Sequence, residues 1–331
     1  MSILREAMYY EKLEGGKVEC RLCPHFCKIK DGKTGTCRQR KNEGGTLYSL
    51  NYARVTSPSM DPIEKKPLYH FYPGSWILSL GTTGCNFRCD FCQNFESSQG
   101  NAYTSELQPA DAVETAKENG SPGISYTYNE PTIWFEFVLE TSKLAHEAGL
   151  TNVLVTNGYI NPEPQAELLP YVDGVNQDIK SIREDFYKER SGGKVGPVLQ
   201  AAKRYKESTL LEVTNLIIPG YNDSEEDVTD LRDWIAGNLG TDTPVHISAY
   251  FPRYRLKAKP TGKKTMERAY DIMKQRMKYV YVGNIITADG ANTFCASCGA
   301  ELVLRHGYGI KVTGLDGNKC SACGALNNIL N

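Results

Sequence analysis

From residue 76 to residue 286 the chain alternates short apolar runs of strand type with longer amphipathic stretches of helix type. This alternation is typical of βα units, in which helices pack on a parallel sheet or barrel. The predicted strands are 76–81, 124–128, 151–156, 174–178, 210–218, 245–251 and 279–283. The predicted helices are 109–118, 132–148, 164–169, 194–206, 225–238 and 264–278. Six or seven units are fewer than a closed eight-fold barrel needs.

The eleven cysteines fall into three tight groups, and the chain has no apparent export signal. This distribution indicates metal sites rather than disulfides. The groups are Cys20, Cys23, Cys27 and Cys37; Cys85, Cys89 and Cys92; and Cys295, Cys298, Cys320 and Cys323. Because thiolates and exposed iron-sulfur clusters oxidise, we expect the protein to work where oxygen is scarce.

The middle group has only three members, Cys85, Cys89 and Cys92, and it follows the predicted strand 76–81. A 4Fe-4S cluster held by three thiolates keeps one iron without a protein ligand, as a catalytic zinc site keeps one position open. The spacing is also compatible with a structural zinc site whose fourth ligand lies elsewhere. In the first alternative the group is a catalytic site, and in the second it is a structural metal site.

Polar residues follow the carboxyl ends of successive predicted strands, which is where βα barrels place their catalytic groups. Each alone has a structural explanation: Asn157 before a glycine forms a turn, and Glu130 before a proline suits an exposed loop. Their joint placement downstream of the cysteine triplet favours one shared site. The candidates are Tyr128, Asn129, Glu130, Asn157, Asp178 and Tyr250.

The segment GTTGCNFRCDFCQN at 81–94 resembles the cluster loop of radical S-adenosylmethionine (SAM) enzymes, in which an aromatic residue such as Phe91 precedes the third cysteine. Four further segments extend the likeness over nearly the whole chain. They are DPIEKKPLYH at 61–70, YNEP at 128–131, DIK at 178–180 and HISAYFP at 246–252. In this order they resemble the AmmeMemoRadiSam radical SAM proteins, which are relatives of the pyruvate formate-lyase activating enzymes.

The resemblance implies an α/β fold with a partial (β/α)6 TIM-like barrel. It also implies that the open iron binds the amino and carboxylate groups of SAM, and that an electron donor such as flavodoxin or ferredoxin reduces the cluster. Reductive cleavage then yields methionine and a 5′-deoxyadenosyl radical, which abstracts hydrogen from a substrate. In such enzymes the cofactor carries the chemistry, and the protein positions and shields it.

The resemblance also implies roles for single residues. The motif after the second strand would contact the methionine amino group, but its usual form is Gly-Gly-Glu-Pro, and Tyr128 and Asn129 replace the two glycines here. Glu130 matches the motif. By the same analogy, Asn157 and Asp178 would lie near the SAM ribose or an associated cation, and Phe91 and Tyr250 would line the adenine.

The two outer cysteine groups can each close a metal site. Cys295, Cys298, Cys320 and Cys323 form two CxxC pairs separated by 21 residues, and a glycine follows each pair, which is zinc-ribbon spacing. A rubredoxin-like iron site is the alternative, because four thiolates also suit iron. The first group, with Cys20, Cys23, Cys27 and Cys37, could hold zinc or a second 4Fe-4S cluster.

The predicted domains follow these groups. Residues 1–73 form an N-terminal cap that is polar, rich in turns and stapled by metal, and that has no long helix or strand pattern. Residues 74–288 form the partial barrel. Residues 289–331 form a C-terminal appendage of zinc-ribbon or rubredoxin type.

The bulk composition excludes several partners. The formal net charge is −1 and the pI is about 6.5, so no overall field favours nucleic acid or an anionic membrane. No apolar stretch approaches the ~20 residues of a membrane span, and residues 1–18 lack an apolar signal region. We therefore expect a cytoplasmic protein.

Basic residues follow the sixth strand. A solvated loop is the simplest interpretation of such a charge run, and an anion-binding rim for a phosphate or carboxylate is the sharper one. Arg253 and Lys257 are the candidate substrate residues there, and Lys65, Lys66 and His70 could contribute from the cap. The complete run is Arg253, Arg255, Lys257, Lys259, Lys263 and Lys264.

Three functions remain open. The first is a radical SAM enzyme that acts on a small molecule, with the Memo-like and AMMECR-type protein partners that the family name implies. The second is an activase that installs a glycyl radical on a partner protein. The third is a zinc-stabilised binding protein without radical chemistry.

Overall fold

The computed structural model describes residues 4–286 and 290–331. The N-terminal part forms two small antiparallel sheets, one with the order β1-β6-β5 and the other with the order β2-β3-β4. Their strands are β1 (Arg5–Glu6), β2 (Tyr10–Lys12), β3 (Val18–Cys20), β4 (Lys28–Ile29), β5 (Arg40–Glu43) and β6 (Thr46–Ser49).

Nine further strands form the central sheet. They are β7 (Arg54–Pro62), β8 (Trp76–Gly81), β9 (Ser105–Glu106), β10 (Gly123–Tyr126), β11 (Thr151–Thr156), β12 (Gly174–Asp178), β13 (Leu210–Ile217), β14 (Val245–Ala249) and β15 (Val280–Gly283). The order across the sheet is β15-β14-β13-β12-β11-β10-β8-β7-β9. All strands from β8 to β15 except β9 run parallel, which confirms the seven strands predicted from the sequence.

The sequence did not predict β7, which pairs antiparallel with β8 and extends the sheet beyond its parallel part. Its pattern is hidden because the register shifts between Thr56 and Ser59, and Ser57 between them has a φ of 48°. A bulge of this kind breaks the strict alternation of inward and outward residues on which strand prediction depends. Part of the predicted cap therefore belongs to the central sheet.

Eight helices accompany the sheet in the described part of the chain. They are α1 (Phe95–Ser98), α2 (Pro109–Glu118), α3 (Phe135–Glu147), α4 (Pro162–Leu168), α5 (Glu184–Phe186), α6 (Val195–Ser208), α7 (Glu225–Asn238) and α8 (Lys263–Lys274). The predictions for α2 and α7 have the observed bounds. Ser224 caps α7 by accepting a hydrogen bond from the Asp227 amide, and acidic residues in the first turn complement the helix dipole.

One apolar core joins the N-terminal sheets to the central sheet. Outward residues of the parallel strands, such as Ile124 and Leu211, are fully buried against the helices, and Val18 and Leu47 of the N-terminal sheets belong to the same buried cluster. The two parts therefore bury a common surface, which stabilises each against separation.

The C-terminal segment has a small core of its own, built around Leu302, Val303 and Ile329. Its strands are β16 (Thr293–Phe294), β17 (Glu301–His306), β18 (Gly309–Val312), β19 (Leu315–Asp316) and β20 (Lys319–Cys320). The predicted boundary between residues 288 and 289 lies outside the described residues.

The C-terminal segment is attached to the amino-terminal half of the parallel sheet by a buried polar cluster, which we call the base network: His70, Glu212, His246 and Tyr281. Glu212 accepts hydrogen bonds from the His70 amide at 2.7 Å and pairs with His246 Nε2 at 2.6 Å. The His70 ring contacts Tyr281 Oη at 2.7 Å and the Asn328 carbonyl at 2.8 Å. The base network therefore joins the strands to the last residues of the chain.

The opposite edge of the sheet, formed by the carboxyl ends of the parallel strands, is called the mouth below. Among the described residues, no helix combines the length and apolar character that crossing a membrane requires.

Candidate active site

The central cysteines lie on the loop between β8 and α1, at the mouth. Backbone hydrogen bonds fix this loop to the turn Tyr187–Ser191: the Arg88 amide donates to the Ser191 carbonyl at 2.8 Å, and the Asp90 amide donates to the Arg190 carbonyl at 3.2 Å. An ion pair between Arg190 and Asp90 at 2.9 Å supports the same contact. The loop therefore has a defined conformation although it is irregular.

Hydrogen-bond donors surround the thiols of this loop. The Sγ of Cys85 accepts from the Phe87 amide at 3.3 Å and from Asn157 Nδ2 at 3.7 Å. The Sγ of Cys92 lies 3.2 Å from Ser98 Oγ. Such donors stabilise thiolates, which are the form in which cysteine binds metal.

Lys180 adds a positive charge beside the loop. Burial raises the pKa of Cys89 to about 11, and the ammonium group of Lys180 opposes that shift. Lys180 also pairs with Asp178 at 2.9 Å and lies 5.8 Å from the centre of the Phe91 ring. Sequence reasoning did not assign Lys180 to the site, although its place two residues after Asp178 put it near the same strand end.

The spacing of the sulfurs separates the central group from a single-ion site. Of the described residues, only Cys295, Cys298, Cys320 and Cys323 have ligand atoms that all lie within 4.8 Å of one another. In that group two Sγ pairs are 3.8 and 3.7 Å apart, close to the ~3.8 Å edge of a tetrahedron with metal-sulfur bonds of ~2.3 Å. The wider central triplet fits a multi-iron cluster better than a lone zinc ion.

Asn129 and Glu130 hold the strand ends around the cysteine loop. Asn129 accepts from the Thr82 amide at 3.0 Å and donates to the Gly84 carbonyl at 2.8 Å, on the two sides of the loop start. The buried carboxylate of Glu130 accepts from the Thr156 hydroxyl and from the Asn157 amide, both at 2.8 Å. These side chains tie β10 and β11 to the loop.

Tyr128 has a φ of 70°, a left-handed conformation that glycine adopts at much lower cost than tyrosine. This explains why glycine is usual at the position in the resembled motif. The Tyr128 hydroxyl contacts Asp61 at 2.5 Å, and Asp61 also pairs with Lys65 at 2.8 Å and with Lys66 at 2.6 Å. The tyrosine thus reaches across the sheet interior to a buried charge cluster.

Hydrogen bonds from the two lysines and from Tyr128 outweigh burial and lower the pKa of Asp61 to about 2. Burial lowers the pKa of Lys66 to about 8 despite its pairing with Asp61. The ammonium of Lys66 also lies 4.8 Å from the centre of the Tyr128 ring. The sequence suggested Lys65 and Lys66 as cap contributions to the anion-binding rim, but it did not predict their pairing with Asp61.

Asn157 is the candidate closest to a central thiol. Besides Cys85, its Nδ2 contacts the Asn86 side chain at 2.9 Å, and its Oδ1 accepts from the Tyr159 amide at 2.9 Å. The following glycine has a φ of 69°, and an added Cβ would lie 2.3 Å from Gln177 Nε2. Only glycine therefore permits this turn, so the Asn-Gly pair is both a turn and a contact to the cluster loop.

Phe91 and Tyr250 lie in one buried apolar cluster that also contains Cys89, Ile218 and Leu256. The Phe91 ring packs 5.9 Å from that of Phe186. The Tyr250 hydroxyl donates to the Leu256 carbonyl at 2.9 Å. Both aromatic side chains are therefore buried against the cysteine loop, and neither lines the cavity described below.

A cavity of about 1060 Å³ opens beside the loop. Gln93 and Asn94, which follow Cys92 directly, contribute to its wall, together with Lys65, Tyr128 and Arg253. Its volume is at the upper end of the ~300–1,000 Å³ usual for ligand pockets. Arg253 and the cap lysine Lys65 thus meet at one cavity.

Two other predicted substrate residues lie elsewhere. Lys257 is exposed, does not line this cavity, and donates to the Tyr254 carbonyl at 3.2 Å. His70 is fully buried in the base network, with both ring nitrogens in hydrogen bonds. This placement argues against substrate contact by His70, because no ring atom is free to face the mouth.

The comparisons with known proteins agree with this geometry. Residues 79–235 match the model of the Radical SAM superfamily. An uncharacterized protein of Methanocaldococcus jannaschii is 44% identical over 329 residues, which span 97% of this chain and 98% of that protein. The chain belongs to the radical SAM superfamily. It is therefore a SAM-cleaving enzyme, as predicted.

This radical SAM enzyme is also homologous to the pyruvate formate-lyase-activating enzyme of Clostridium pasteurianum, with 28% identity over 175 residues, 50% of this chain and 72% of that enzyme. Among solved structures, Streptococcus suis SuiB bound to precursor peptide SuiA has a TM-score of 0.51 at 16% identity, covering 67% of this chain and 51% of that one. The second likeness confirms the fold alone.

Proposed function

We propose that the protein holds a 4Fe-4S cluster on Cys85, Cys89 and Cys92, cleaves SAM reductively there, and abstracts hydrogen from a small anionic substrate in the adjoining cavity. The observation that carries the proposal is the triplet itself: three thiols on one loop, spaced too widely for one ion, with hydrogen-bond partners at the sulfurs of Cys85 and Cys92. The residues that follow Cys92 line a large cavity. The widely curved parallel sheet of a partial (β/α)6 barrel would place all of them at one mouth.

When bound, the cluster and SAM supply one electron and a carbon-sulfur bond, whose cleavage yields methionine and a 5′-deoxyadenosyl radical. The protein's residues prepare that step. Lys180 and the hydrogen bonds to Cys85 stabilise thiolates, while Asn129 and Glu130 fix the loop against β10 and β11. Phe91 and Tyr250 belong to the buried apolar cluster that contains Cys89, and this cluster keeps water from that side of the loop.

The charge of the cavity wall supports an anionic substrate. Lys65 and Arg253 contribute two cations, and Glu96 contributes one carboxylate. Charge-assisted hydrogen bonds from such cations are stronger than neutral ones and select carboxylate or phosphate groups. Lys65 is already paired with Asp61, which fixes its position at the wall.

The test uses the anaerobically reconstituted enzyme with dithionite and SAM, and measures 5′-deoxyadenosine. We expect cleavage that is accelerated by the low-molecular-weight fraction of a cell extract and not by its desalted protein fraction. Acceleration by the protein fraction, with a glycyl radical signal, would instead identify an activase, the alternative that the homology to an activating enzyme supports. No 5′-deoxyadenosine in any arm would contradict the proposal.

The anionic substrate is tested separately. The double variant Lys65→Ala/Arg253→Ala should need at least about 100-fold more of the extract fraction for half-maximal acceleration, because it loses two charged hydrogen bonds, each worth ~1.5–3 kcal/mol. Lys257→Ala is the matched control, since Lys257 is cationic and exposed but does not line the cavity. Equal responses of the two variants would exclude these cations as substrate contacts.

The order of the motifs supports a place in the AmmeMemoRadiSam branch, with Memo-like and AMMECR-type proteins as partners and flavodoxin or ferredoxin as electron donor. Tetrahedral sulfur spacing supports zinc on the four C-terminal cysteines. Metal analysis of the purified protein tests the zinc assignment, and co-purification with each partner tests the branch.

A further inference from the structure

The first four cysteines converge on one buried space. Cys20, Cys23 and Cys37 are each less than a tenth exposed, and Cys27 is half-buried. All four line a small enclosed cavity, together with Arg40. The Sγ of Cys27 also accepts a hydrogen bond from the Thr36 amide at 3.4 Å. These four thiols therefore form one buried site.

The spacing of their sulfurs distinguishes this site from the C-terminal one. The four C-terminal cysteines have the spacing of a single tetrahedral ion. Within residues 4–286 and 290–331, neither the first four cysteines nor the central triplet meets the same 4.8 Å limit. The two wider groups are therefore not spaced for a single tetrahedral ion, and a cluster of several irons, whose ligands lie farther apart, suits both.

A buried arginine faces the N-terminal site. The guanidinium of Arg40 is 1% exposed, and its terminal nitrogens contact Glu136 at 2.8 and 2.9 Å. Its Nε has no hydrogen-bond partner in the described structure. A buried donor without an acceptor destabilises the folded protein, so an acceptor is expected at the cavity. The negatively charged sulfurs of a cluster supply one.

The N-terminal site touches the central loop directly. His25 Nε2 lies 2.7 Å from the Asn86 carbonyl, next to Cys85 in sequence. A Cβ added at Gly84 would lie 2.6 Å from the Cys37 carbonyl, so the two backbones are already in contact there. Cys23 also belongs to the buried cluster that contains Cys89. The loops that carry the two cysteine groups are therefore in direct contact.

We propose that Cys20, Cys23, Cys27 and Cys37 hold a second 4Fe-4S cluster, which relays single electrons to the central site. A one-electron donor of flavodoxin or ferredoxin type would reduce the N-terminal cluster. That cluster would pass the electron to the central cluster, where it would be used for reductive cleavage of the sulfonium carbon-sulfur bond of SAM. The site assignment stands by itself, whereas the relay role rests on the proposed function.

Metal content tests the site without reference to activity. We expect about eight irons per chain in the wild type, and about four in each of two variants, Cys85→Ala/Cys89→Ala/Cys92→Ala and Cys20→Ala/Cys23→Ala. Cys298→Ala/Cys323→Ala is the matched control and should keep all its iron while losing zinc. A triple variant that contains zinc and no iron would overturn the assignment.

Mössbauer and EPR spectra of the unmodified protein keep the site testable if a variant fails to fold. Two 4Fe-4S clusters in contact should both appear in the Mössbauer spectrum, and their reduced EPR signals should be broadened by spin coupling. Iron content and a spectrum that account for one cluster only would overturn the proposal.

The relay is tested by comparing two reductants in the Cys20→Ala/Cys23→Ala variant. The ratio of flavodoxin-driven to dithionite-driven SAM cleavage should fall by an order of magnitude relative to the wild type. An unchanged ratio would overturn the relay role. A wild type with two clusters but no SAM cleavage would contradict the proposed function while leaving the second site intact.

Discussion

The mouth and the base of the same sheet both carry buried polar residues, but they differ in how completely these are paired. In the base network every polar atom of His70 and Glu212 that the structure describes has a close partner, and the C-terminal segment covers it. At the mouth, the cations Lys65 and Arg253 line a cavity of about 1060 Å³, together with Gln93 and Asn94, which follow the cysteine loop. Polar residues with completed hydrogen bonds hold the fold, and those facing open volume are available for chemistry.

The largest expected effect concerns the mouth. Cys89→Ala should reduce SAM cleavage to the background level, because the variant loses a cluster ligand while the base network is untouched. Iron content and 5′-deoxyadenosine formation measure the effect. Cys298→Ala, which removes a thiol from the C-terminal segment, serves as the control and should retain cleavage; equal loss in both variants would erase the distinction between the two regions.

Substitutions in the base network should change the stability of the protein rather than its catalytic activity. Glu212→Ala leaves His246 and two backbone amides without their buried acceptor, and should lower the free energy of unfolding by about 3–5 kcal/mol. Anaerobic urea unfolding measures the change. Glu212→Gln keeps the shape and should cost less. Full stability of the alanine variant would show that the base network does not hold the fold.

A positioning residue at the mouth should have an intermediate effect. Asn129→Ala removes both hydrogen bonds to the start of the cysteine loop and should weaken SAM binding or cluster retention about 10- to 100-fold. Iron content and SAM affinity, measured together, separate these outcomes. Asn129→Asp keeps the acceptor to Thr82 and should recover part of the loss; no difference between the two variants would argue against positioning by this side chain.

The smallest expected effect is the pH dependence of the base. Burial lowers the pKa of His70 from 6.5 to about 4. Between these values the unfolded chain binds a proton that the folded chain does not, so stability falls as the pH falls through this window. The charged and titratable groups around the ring are those of Glu212, His246, Tyr281 and Arg305. They are the same in the wild type and in a variant that changes only His70.

From about pH 7.5 to about pH 5.5, wild-type stability should drop by about 1 kcal/mol more than that of His70→Gln, which cannot titrate. Thermal unfolding at the two pH values measures the difference. His306→Gln, at an exposed histidine of β17, is the control. If His70→Gln and the wild type have the same pH dependence, the ring is not buried in its neutral form.

Local patterns predicted much of this molecule. The seven parallel strands and the bounds of α2 and α7 follow from hydrophobic periodicity and from caps such as Ser224. The strand β7 could not be predicted, because its bulge interrupts the alternation. The burial of Lys66, which the sequence suggested for the exposed rim, could not be predicted either, since it depends on Asp61 and on Tyr128, which is far away in sequence.

The amino-acid sequence by itself determined the three cysteine groups, the order of strands and helices, and the superfamily, because these depend on spacing between near neighbours. Only the tertiary structure decided which polar residues reach the mouth. His70 lies in a motif with Lys65, yet its ring bonds to a carbonyl 258 residues away at the base, whereas Lys65 lines the cavity. Contacts over such separations are set by packing of the whole sheet, which no local pattern encodes.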